Sequence, residues 1–168
     1  ARTRRHRGNH PDVELSIVPS TSHADALIAA VQAGLDGKTP LRFSAEYNLG
    51  QVDVLFLCSA HGESRRWLAA HELPESLRII DLAQDFRDES EGFVYGLPEL
   101  CRERIRAARR VATPGCFATA IQLALPPLVS AGLHADEVPV TAFTGSPRAA
   151  GNNTATTQPT RSAATPPV

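Results

Sequence analysis

Hydrophobic and polar positions along the chain follow two different periods, one typical of strands and one of helices. Short apolar or alternating runs predict strands, and apolar residues at helical spacing predict helices. Their alternation is typical of a parallel sheet with crossover helices, so we predict an α/β fold. The predicted strands are 13–18, 52–58, 77–82, 110–113 and 138–143, and the predicted helices are 26–35, 61–71, 98–107 and 117–128.

Three local features complete this prediction. The hydroxyl side chains at 20–22 are expected to cap the first helix. Residues 83–97 are expected to form a loop. Pro126 and Pro127 are expected to end or kink the last helix early.

Only residues 9–146 show these periods, and both ends differ from them. Residues 1–8 contain four arginines and no apolar residue larger than alanine. Residues 147–168 are mostly Ala, Thr, Pro and Asn, which bury too little apolar surface to offset the entropy of ordering. We therefore expect the tail at 147–168 to be disordered.

Composition and charge exclude several classes of function. The chain has 168 residues, is 42% hydrophobic and carries a formal net charge of -1, which gives no electrostatic reason to bind nucleic acid or an anionic membrane. Apolar runs such as residues 54–58 are far too short for a membrane helix. Cysteines and histidines show no metal-ligand spacing, so we expect no metal site. An odd number of cysteines without a leading signal sequence favours a reducing, cytoplasmic location.

Cys116 is the sharpest candidate for chemistry. It follows a predicted strand and a Pro-Gly turn, and it opens a helix whose apolar stripe is otherwise complete. At a helix start the unpaired backbone N–H groups favour a thiolate and can hold an oxyanion. The alternative is a small buried residue, which is common for cysteine, and the spacing alone leaves both interpretations open. Cys58 and Cys101 have no such turn, so core and surface positions explain them.

Charged residues follow the predicted strand 77–82. Arg87 can clamp a carboxylate or a phosphate at this end of the sheet, with Asp81 and Asp85 nearby in sequence. The alternative is a loop salt bridge between Arg87 and Asp85 or Asp88, and the sequence leaves both open.

Two further polar positions follow strands. His61 comes after the strand 52–58, at the end where α/β sheets bind ligands, although a capping or solvent-facing histidine is the commoner case. Residues 20–22 follow the first predicted strand, where a dinucleotide fold contacts the ribose or its 2′-phosphate; helix capping explains them equally. No glycine-rich phosphate motif occurs.

Five short motifs follow one another along the chain. They are AHG at 60–62, IDLAQDFR at 80–87, YGLPEL at 95–100, PGCFATA at 114–120 and TGS at 144–146. In this order they make residues 9–146 resemble the N-acetyl-gamma-glutamyl-phosphate reductase family of arginine biosynthesis.

The resemblance implies a fold in two parts. It implies a Rossmann-type NADP-binding domain at 9–113 and the start of an α/β catalytic and dimerisation domain at 114–146. Family members open with a strand and a glycine-rich turn, and residues 1–8 stand in that place here. We therefore expect an incomplete Rossmann-type parallel sheet lacking its first strand, with a gap between 13–18 and 52–58.

The resemblance also implies a chemistry. Cys116 matches the nucleophile that attacks an N-acyl-glutamyl phosphate, a small molecule, to form a thioester that NADPH reduces to the semialdehyde. Intact family members are expected to homo-oligomerise. The other residues that the resemblance assigns are Ser20 and Ser22 at the adenosine phosphate of NADP, Ala60, His61 and Gly62 on the nicotinamide side, and Arg87 at the substrate anion.

The two ends depart from the family pattern. The family's second domain supplies an acid/base histidine, whereas His134 is the only histidine after Cys116. Both ends are rich in residues that out-of-frame reading of GC-rich DNA produces, so we predict a truncated member with aberrant termini and no turnover. The alternatives are an inactive fragment and a related semialdehyde dehydrogenase, such as aspartate-semialdehyde dehydrogenase, which is not expected to carry YGLPEL.

Overall fold

The structure, a computed structural model, describes residues 12–20, 22–37, 39–133 and 138–142. The predicted N-terminal segment at 1–8 and the predicted tail at 147–168 lie outside these residues. The start of a second domain at 114–146 stays a prediction.

A four-stranded parallel sheet forms the centre of the fold. Its strands are β1 (Val54–Leu57), β2 (Arg78–Asp81), β3 (Phe93–Tyr95) and β4 (Arg110–Ala112), in the order β1-β2-β4-β3. Every neighbouring pair is parallel, which confirms the predicted α/β class. The carboxyl ends of all four strands therefore lie at one edge, where Leu57, Asp81, Ala112 and Tyr95 are in register.

Within the described residues, one short α-helix precedes the strands and three longer ones connect or follow them. They are α1 (Ile28–Val31), α2 (Glu63–Ala70), α3 (Pro98–Ala107) and α4 (Cys116–Ser130). Pro98 begins α3, where its fixed φ and missing N–H suit the first turn. The early end predicted for α4 is wrong, because the helix continues past Pro126 and Pro127 to Ser130. Each proline removes one backbone donor and crowds the carbonyl four residues earlier, so the helix continues here in spite of a local cost.

The predicted loop at 83–97 is also wrong in part. It contains the 3-10 turn Ser90–Gly92 and then β3, which pairs with β4. β3 is only three residues long, too short for its alternation to be recognised as a strand.

The predicted first strand and first helix need correction. Residues 13–18 form no strand; the segment ends in an isolated parallel bridge between Pro19 and Ser44, away from the sheet. It therefore borders no gap in the described sheet. The predicted helix 26–35 is broken into α1 and the 3-10 turn Ala33–Leu35. Residues 138–142 have no regular structure, and residue 143 lies outside the described residues.

Two separate clusters of buried apolar residues stabilise the fold. The cluster under the sheet consists of Leu57, Leu77, Ile79, Phe86, Phe93 and Ala112, and Trp67 and Leu68 of α2 pack against it. The cluster near the beginning of the chain consists of Val18, Ile28, Leu35 and Phe43.

The chain divides into two compact units, Ala1–Pro126 and Pro127–Val168. The sheet and both clusters lie in the first. In the second, the described residues include the last turn of α4, after which the N–H of Leu133 donates to the carbonyl of Leu128 at 2.9 Å. None of the helices in the described ranges has the length and apolarity that a membrane crossing requires.

Candidate active site

Cys116 is the first residue of α4, and its side chain is exposed. Residues 113–115 lead from β4 into the helix. The carbonyl of Gly115 accepts hydrogen bonds from the backbone N–H and the hydroxyl of Thr119, both at 2.9 Å, so the first helical turn is closed. The first N–H groups of an α-helix have no carbonyl partner within it. The predicted position at a helix start is confirmed, and the alternative of a buried cysteine is wrong.

Arg87 reaches the turn that precedes Cys116. Its Nε donates to the carbonyl of Thr113 at 2.9 Å, and its Nη2 donates to the carbonyl of Leu82 at 3.5 Å. A Cβ atom on Gly115 would lie 3.0 Å from Arg87 Nη1, so the missing side chain lets the guanidinium approach the backbone there. The structure therefore brings Arg87 next to the residue that precedes Cys116.

The charge of Arg87 is not compensated within the described part of the chain. None of the ion pairs there includes Arg87. Asp88 instead accepts hydrogen bonds from the hydroxyl and the backbone N–H of Ser90, which hold the pKa of Asp88 below its usual range. Asp85 has other partners as well. The alternative interpretation of Arg87, a salt bridge with Asp85 or Asp88, is therefore wrong. A half-buried guanidinium bonded to neutral carbonyls remains available to an anion.

Asp85 binds the amino end of α2. Its carboxylate accepts hydrogen bonds from the backbone N–H groups of Gly62 at 2.6 Å and Arg65 at 3.1 Å. Desolvation raises the pKa of Asp85, but these two hydrogen bonds and the positive charge of Arg65 outweigh it and leave the pKa below its usual value. The amino end of α2, where a helix can bind an anion, is thus occupied by the carboxylate of Asp85.

The turn at Ala60, His61 and Gly62 is exposed and linked to the loop after β2. His61 Nδ1 accepts a hydrogen bond from the N–H of Gln84 at 3.3 Å, and the N–H of Ala60 donates to the carboxylate of Glu63 at 3.2 Å. Since the N–H of Gly62 is also engaged, two backbone donors of the turn are used within the chain. The turn thus lies exposed at the carboxyl end of β1, and its role in cofactor binding stays a prediction.

Ser20 and Ser22 lie in a turn before α1, outside the sheet. Their hydroxyls are 3.4 Å apart, and Ser22 Oγ lies 2.9 Å from His23 Nδ1. The expected helix capping is wrong, because the N-cap of α1 is Leu27 and no side chain caps it. The hydroxyls and the imidazole form a polar group whose role in binding a phosphate stays a prediction.

A chain of hydrogen bonds, buried at Ser64 and Asp81, links the carboxyl ends of β1, β2 and β4. Ser64 Oγ donates to Asp81 Oδ1 at 2.6 Å, and Ser59 Oγ lies 2.7 Å from Ser64 Oγ. The main-chain carbonyl of Asp81 accepts from the N–H and the hydroxyl of Thr113 at 2.8 and 3.0 Å. Asp81 is fully buried; its Oδ1 and main-chain carbonyl hold the strand ends together, and its Oδ2 has no hydrogen-bond partner among the described residues.

An open cleft of about 420 Å³ begins at Arg87. In it the carboxylate of Glu89 accepts from Arg104 Nη2 at 2.8 Å and from the N–H of Tyr95 at 2.9 Å. Arg104, followed by the N–H of Tyr95, lowers the pKa of Glu89, and Glu89 in turn raises the pKa of Arg104. The cleft is lined by Arg87, Asp88, Glu89, Tyr95, Arg104 and Gln122.

Three of these lining residues, Tyr95, Arg104 and Gln122, were not among the sequence candidates. Tyr95 opens the YGLPEL motif, and Gln122 is the one amide side chain in the apolar helix α4. Those two features were the available signals. Arg104 has none, because it is one of several arginines in a polar helix.

Comparison with known proteins agrees with this geometry. The family model described as "Semialdehyde dehydrogenase, NAD binding domain" matches residues 5–108. Two N-acetyl-gamma-glutamyl-phosphate reductases, from Azobacteroides pseudotrichonymphae and Phocaeicola vulgatus, are 50% and 47% identical to the chain over 140 residues, which are 82% of this chain and 44% of theirs. A third, from Christiangramia forsetii, is 42% identical over 151 residues, 89% of this chain and 47% of its own.

The chain spans less than half the length of the curated relatives it matches. The resemblance drawn from the five motifs is confirmed, since these relatives carry the name of the family that it indicated. The family model covers more than half of the chain and includes all of β1, β2 and β3. The chain therefore belongs to the semialdehyde dehydrogenase family, through its NAD-binding domain.

Proposed function

We propose that the chain is part of an N-acetyl-gamma-glutamyl-phosphate reductase, which reduces an N-acyl-glutamyl phosphate to the semialdehyde with NADPH. The observation that carries this proposal is the exposed Cys116 at the first turn of α4, with the uncompensated guanidinium of Arg87 against the preceding glycine. Relatives that are 42–50% identical and carry that name support the choice of substrate.

Cys116 is the proposed nucleophile. Its thiolate attacks the acyl carbon of the acyl phosphate, the bond from that carbon to the phosphate oxygen breaks, and phosphate leaves with the electron pair. The product is a thioester on Cys116. The unpaired N–H groups of the first turn of α4 stabilise the negative oxygen that develops on the acyl group. When bound, NADPH supplies the hydride that converts the thioester into the aldehyde and restores the thiolate.

The residues assigned to NADP fit a nicotinamide cofactor in part. Residues 60–62 lie at the carboxyl end of β1, the edge where open α/β sheets bind ligands. Ser20, Ser22 and His23 offer hydroxyl and imidazole groups to a phosphate, and residues 20–23 include no carboxylate. Since an acidic residue in this region favours the ribose hydroxyl of NAD, we propose NADP. Gly62 does not fit a phosphate, because Asp85 already binds its N–H.

A reducing, cytoplasmic location is part of the same proposal. Cys58, Cys101 and Cys116 are all free, and two of them are exposed. Free exposed thiols persist in reducing compartments.

A chain that binds its ligands without turnover is the second candidate. The observation that favours it is the surroundings of Cys116: among the described residues, no basic side chain forms a hydrogen bond with this thiol. The two candidates differ in turnover, whereas they share the cysteine and the cofactor-binding residues.

Acyl transfer to Cys116 tests the proposed chemistry directly. We expect intact-mass analysis of the full chain, mixed with N-acetylglutamyl phosphate, to show one added acyl group. Cys116→Ser should remove this addition, and the matched control Cys58→Ser, which also changes an exposed thiol, should retain it. Acylation that survives Cys116→Ser, or that never occurs, would contradict the proposed nucleophile.

A turnover assay separates the two candidates. The reductase requires phosphate-dependent reduction of NADP by the chain with N-acetylglutamate semialdehyde, and Cys116→Ala should abolish it; the binding-only candidate requires no reduction from either protein. Turnover that depends on Cys116 would overturn the binding-only candidate and establish the complete reaction.

A further inference from the structure

We propose that the hydroxyl oxygen of Ser59 accepts a hydrogen bond from the carboxamide NH2 group of the nicotinamide ring. This inference rests on the proposed function and assigns one group of the cofactor to one side chain. It makes Ser59 a residue that selects the carboxamide. The observation that carries it is the direction of the hydrogen bonds that run from Ser59 to Asp81.

The hydrogen-bond chain behind Ser59 has one possible direction. The carboxylate of Asp81 has no hydrogen to donate, so Ser64 donates its single hydroxyl hydrogen to Asp81 Oδ1 at 2.6 Å. Ser64 can then only accept in its 2.7 Å contact with Ser59, which makes Ser59 Oγ the donor. No other hydrogen bond involves this oxygen among the described residues. Ser59 therefore offers a ligand lone pairs and no hydrogen.

Burial strengthens this polarity. Ser64 and Asp81 are fully buried, whereas Ser59 is exposed. In surroundings of low dielectric constant, the members of a hydrogen-bond chain polarise one another. The carboxylate at the buried end thus makes the oxygen of Ser59 a better acceptor for an N–H group. A phosphate or a carboxylate would need a hydrogen that Ser59 does not have free.

Two backbone donors next to Ser59 are used within the chain as well. The N–H of Ala60 donates to the carboxylate of Glu63 at 3.2 Å, and the N–H of Gly62 donates to the carboxylate of Asp85 at 2.6 Å. The charges of these two carboxylates also repel an anion. This part of the turn therefore suits the nicotinamide end of the cofactor and not its phosphates.

Ser59 lies at the same edge of the sheet as Cys116. It follows the end of β1 by two residues, and Cys116 follows the end of β4 by four. Because β2 lies between β1 and β4, their ends are two strand spacings apart, roughly 10 Å. A nicotinamide ring held at Ser59 is thus placed at the edge that carries the thiol, as reduction of a thioester on Cys116 requires.

The test compares two cofactors that differ in the proposed donor. In 3-acetylpyridine adenine dinucleotide phosphate, a methyl group replaces the NH2 of oxidised NADP, and the carbonyl is kept. Using calorimetric titration of the full chain, we expect oxidised NADP to bind about fivefold more tightly than this analogue, as for one neutral hydrogen bond. Equal binding of the two cofactors, or no binding of either, would overturn the proposal.

Variants assign the preference to Ser59. Ser59→Ala removes the acceptor and leaves the hydrogen bond between Ser64 and Asp81 in place, so it should bind the two cofactors equally. Ser76→Ala makes the same change at an exposed serine before β2 and should keep the preference. A preference that persists in Ser59→Ala would also overturn the proposal. The comparison of the two cofactors on the unchanged chain stands even if the variant does not fold.

This test and the acyl-transfer test fail in different ways. Acylation of Cys116 together with equal binding of the two cofactors would refute the role of Ser59 and leave the proposed function standing. A preference for oxidised NADP without acylation of Cys116 would refute the nucleophile and leave Ser59 as a contact of the cofactor.

Discussion

At the scale of the residue, Asp85 joins two parts of the candidate site through one carboxylate. It accepts hydrogen bonds from Gly62 and Arg65 at the amino end of α2, and it lies two residues before Arg87 in the same loop. Arg65 strengthens the connection by donating through Nη2 to the main-chain carbonyl of Asp85 at 2.6 Å. The charge of Asp85 therefore stabilises the helix start and the position of the loop together.

We predict that Asp85→Asn destabilises the fold at neutral pH by about 0.3–1 kcal/mol, the range for a charge at a helix end. The pKa of Asp85 is lowered in the fold, so its stabilising contribution is complete above its unfolded pKa of about 3.9 and is lost as pH falls through the lower folded pKa. Urea unfolding of both proteins should therefore give free energies of unfolding that differ at pH 7 and converge at acid pH.

Asp53→Asn is the matched control, since Asp53 is exposed and precedes β1 by one residue. It should change the free energy of unfolding by less than Asp85→Asn at pH 7. A difference between the chain and Asp85→Asn that stayed constant down to pH 3 would show that the charge of Asp85 has no part in it.

At the scale of the element, β3 is a strand that neither hydrophobic periodicity nor composition predicts. The sequence predicts β2, α2 and α3 close to their observed bounds, because each has a clear period or a starting signal such as Pro98. β3 has only three residues, and what stabilises it is the contact between Phe93 and Phe86, whose stacked rings lie 4.1 Å apart. That contact joins residues seven positions apart across an irregular loop, so no local sequence pattern predicts it.

The two rings are also covered by cations. Arg65 lies over Phe86, with 4.7 Å between its Cζ atom and the ring centroid, and Arg110 lies over Phe93 at 5.8 Å. Both separations fall within the range of cation–π attraction. The loop that contains Arg87 is thus fixed by a stack of two rings between two guanidinium groups.

We predict that Phe93→Ala lowers the free energy of unfolding by about 3–5 kcal/mol, as for other large-to-small changes of a buried phenylalanine. Phe93 is only 2% exposed, and its loss removes a ring from the stack as well as from the cluster under the sheet. Phe117→Ala makes the same change at a residue that is 42% exposed, and should lower it by about 1 kcal/mol or less. Urea unfolding at neutral pH measures both, and equal effects would contradict the role of the stack.

At the scale of the whole molecule, the sequence predicts the parallel sheet and a cysteine at the start of the helix that follows it, and it misses how the beginning of the chain is built. Alternation at 13–18 predicts a strand, but a segment becomes a strand only where a partner runs alongside. Here the partner is Ser44, which forms one isolated bridge, with Pro19, and accepts and donates hydrogen bonds only at 18–20. The sequence also could not predict that Arg87 forms no ion pair within the described residues. That depends on which hydrogen-bond partners Asp85 and Asp88 have in the folded chain.

The two buried clusters should differ in stability. The cluster under the sheet is supported by parallel ladders, whereas the cluster of Val18, Ile28, Leu35 and Phe43 is supported by isolated bridges. Segments with fewer cooperative hydrogen bonds open at lower free energy. In hydrogen exchange of the free chain we therefore expect the amide of Ser44 to exchange faster than that of Ile79 in β2, and similar rates would show that the clusters unfold as one unit.

The same measurement with cofactor tests the assignment of both NADP contacts in one experiment. NADPH should slow exchange at 20–23, which contain the hydroxyls of Ser20 and Ser22, and at 60–62 at the end of β1, because a ligand that binds only the folded state raises the free energy of local opening. Exchange in α3 serves as the internal control and should stay unchanged. NADH should protect 60–62 and leave 20–23 as in the free chain, since it lacks the 2′-phosphate. Equal protection of 20–23 by both cofactors would remove the physical reason for preferring NADP, and protection confined to 60–62 with NADPH would show that these hydroxyls contact no phosphate.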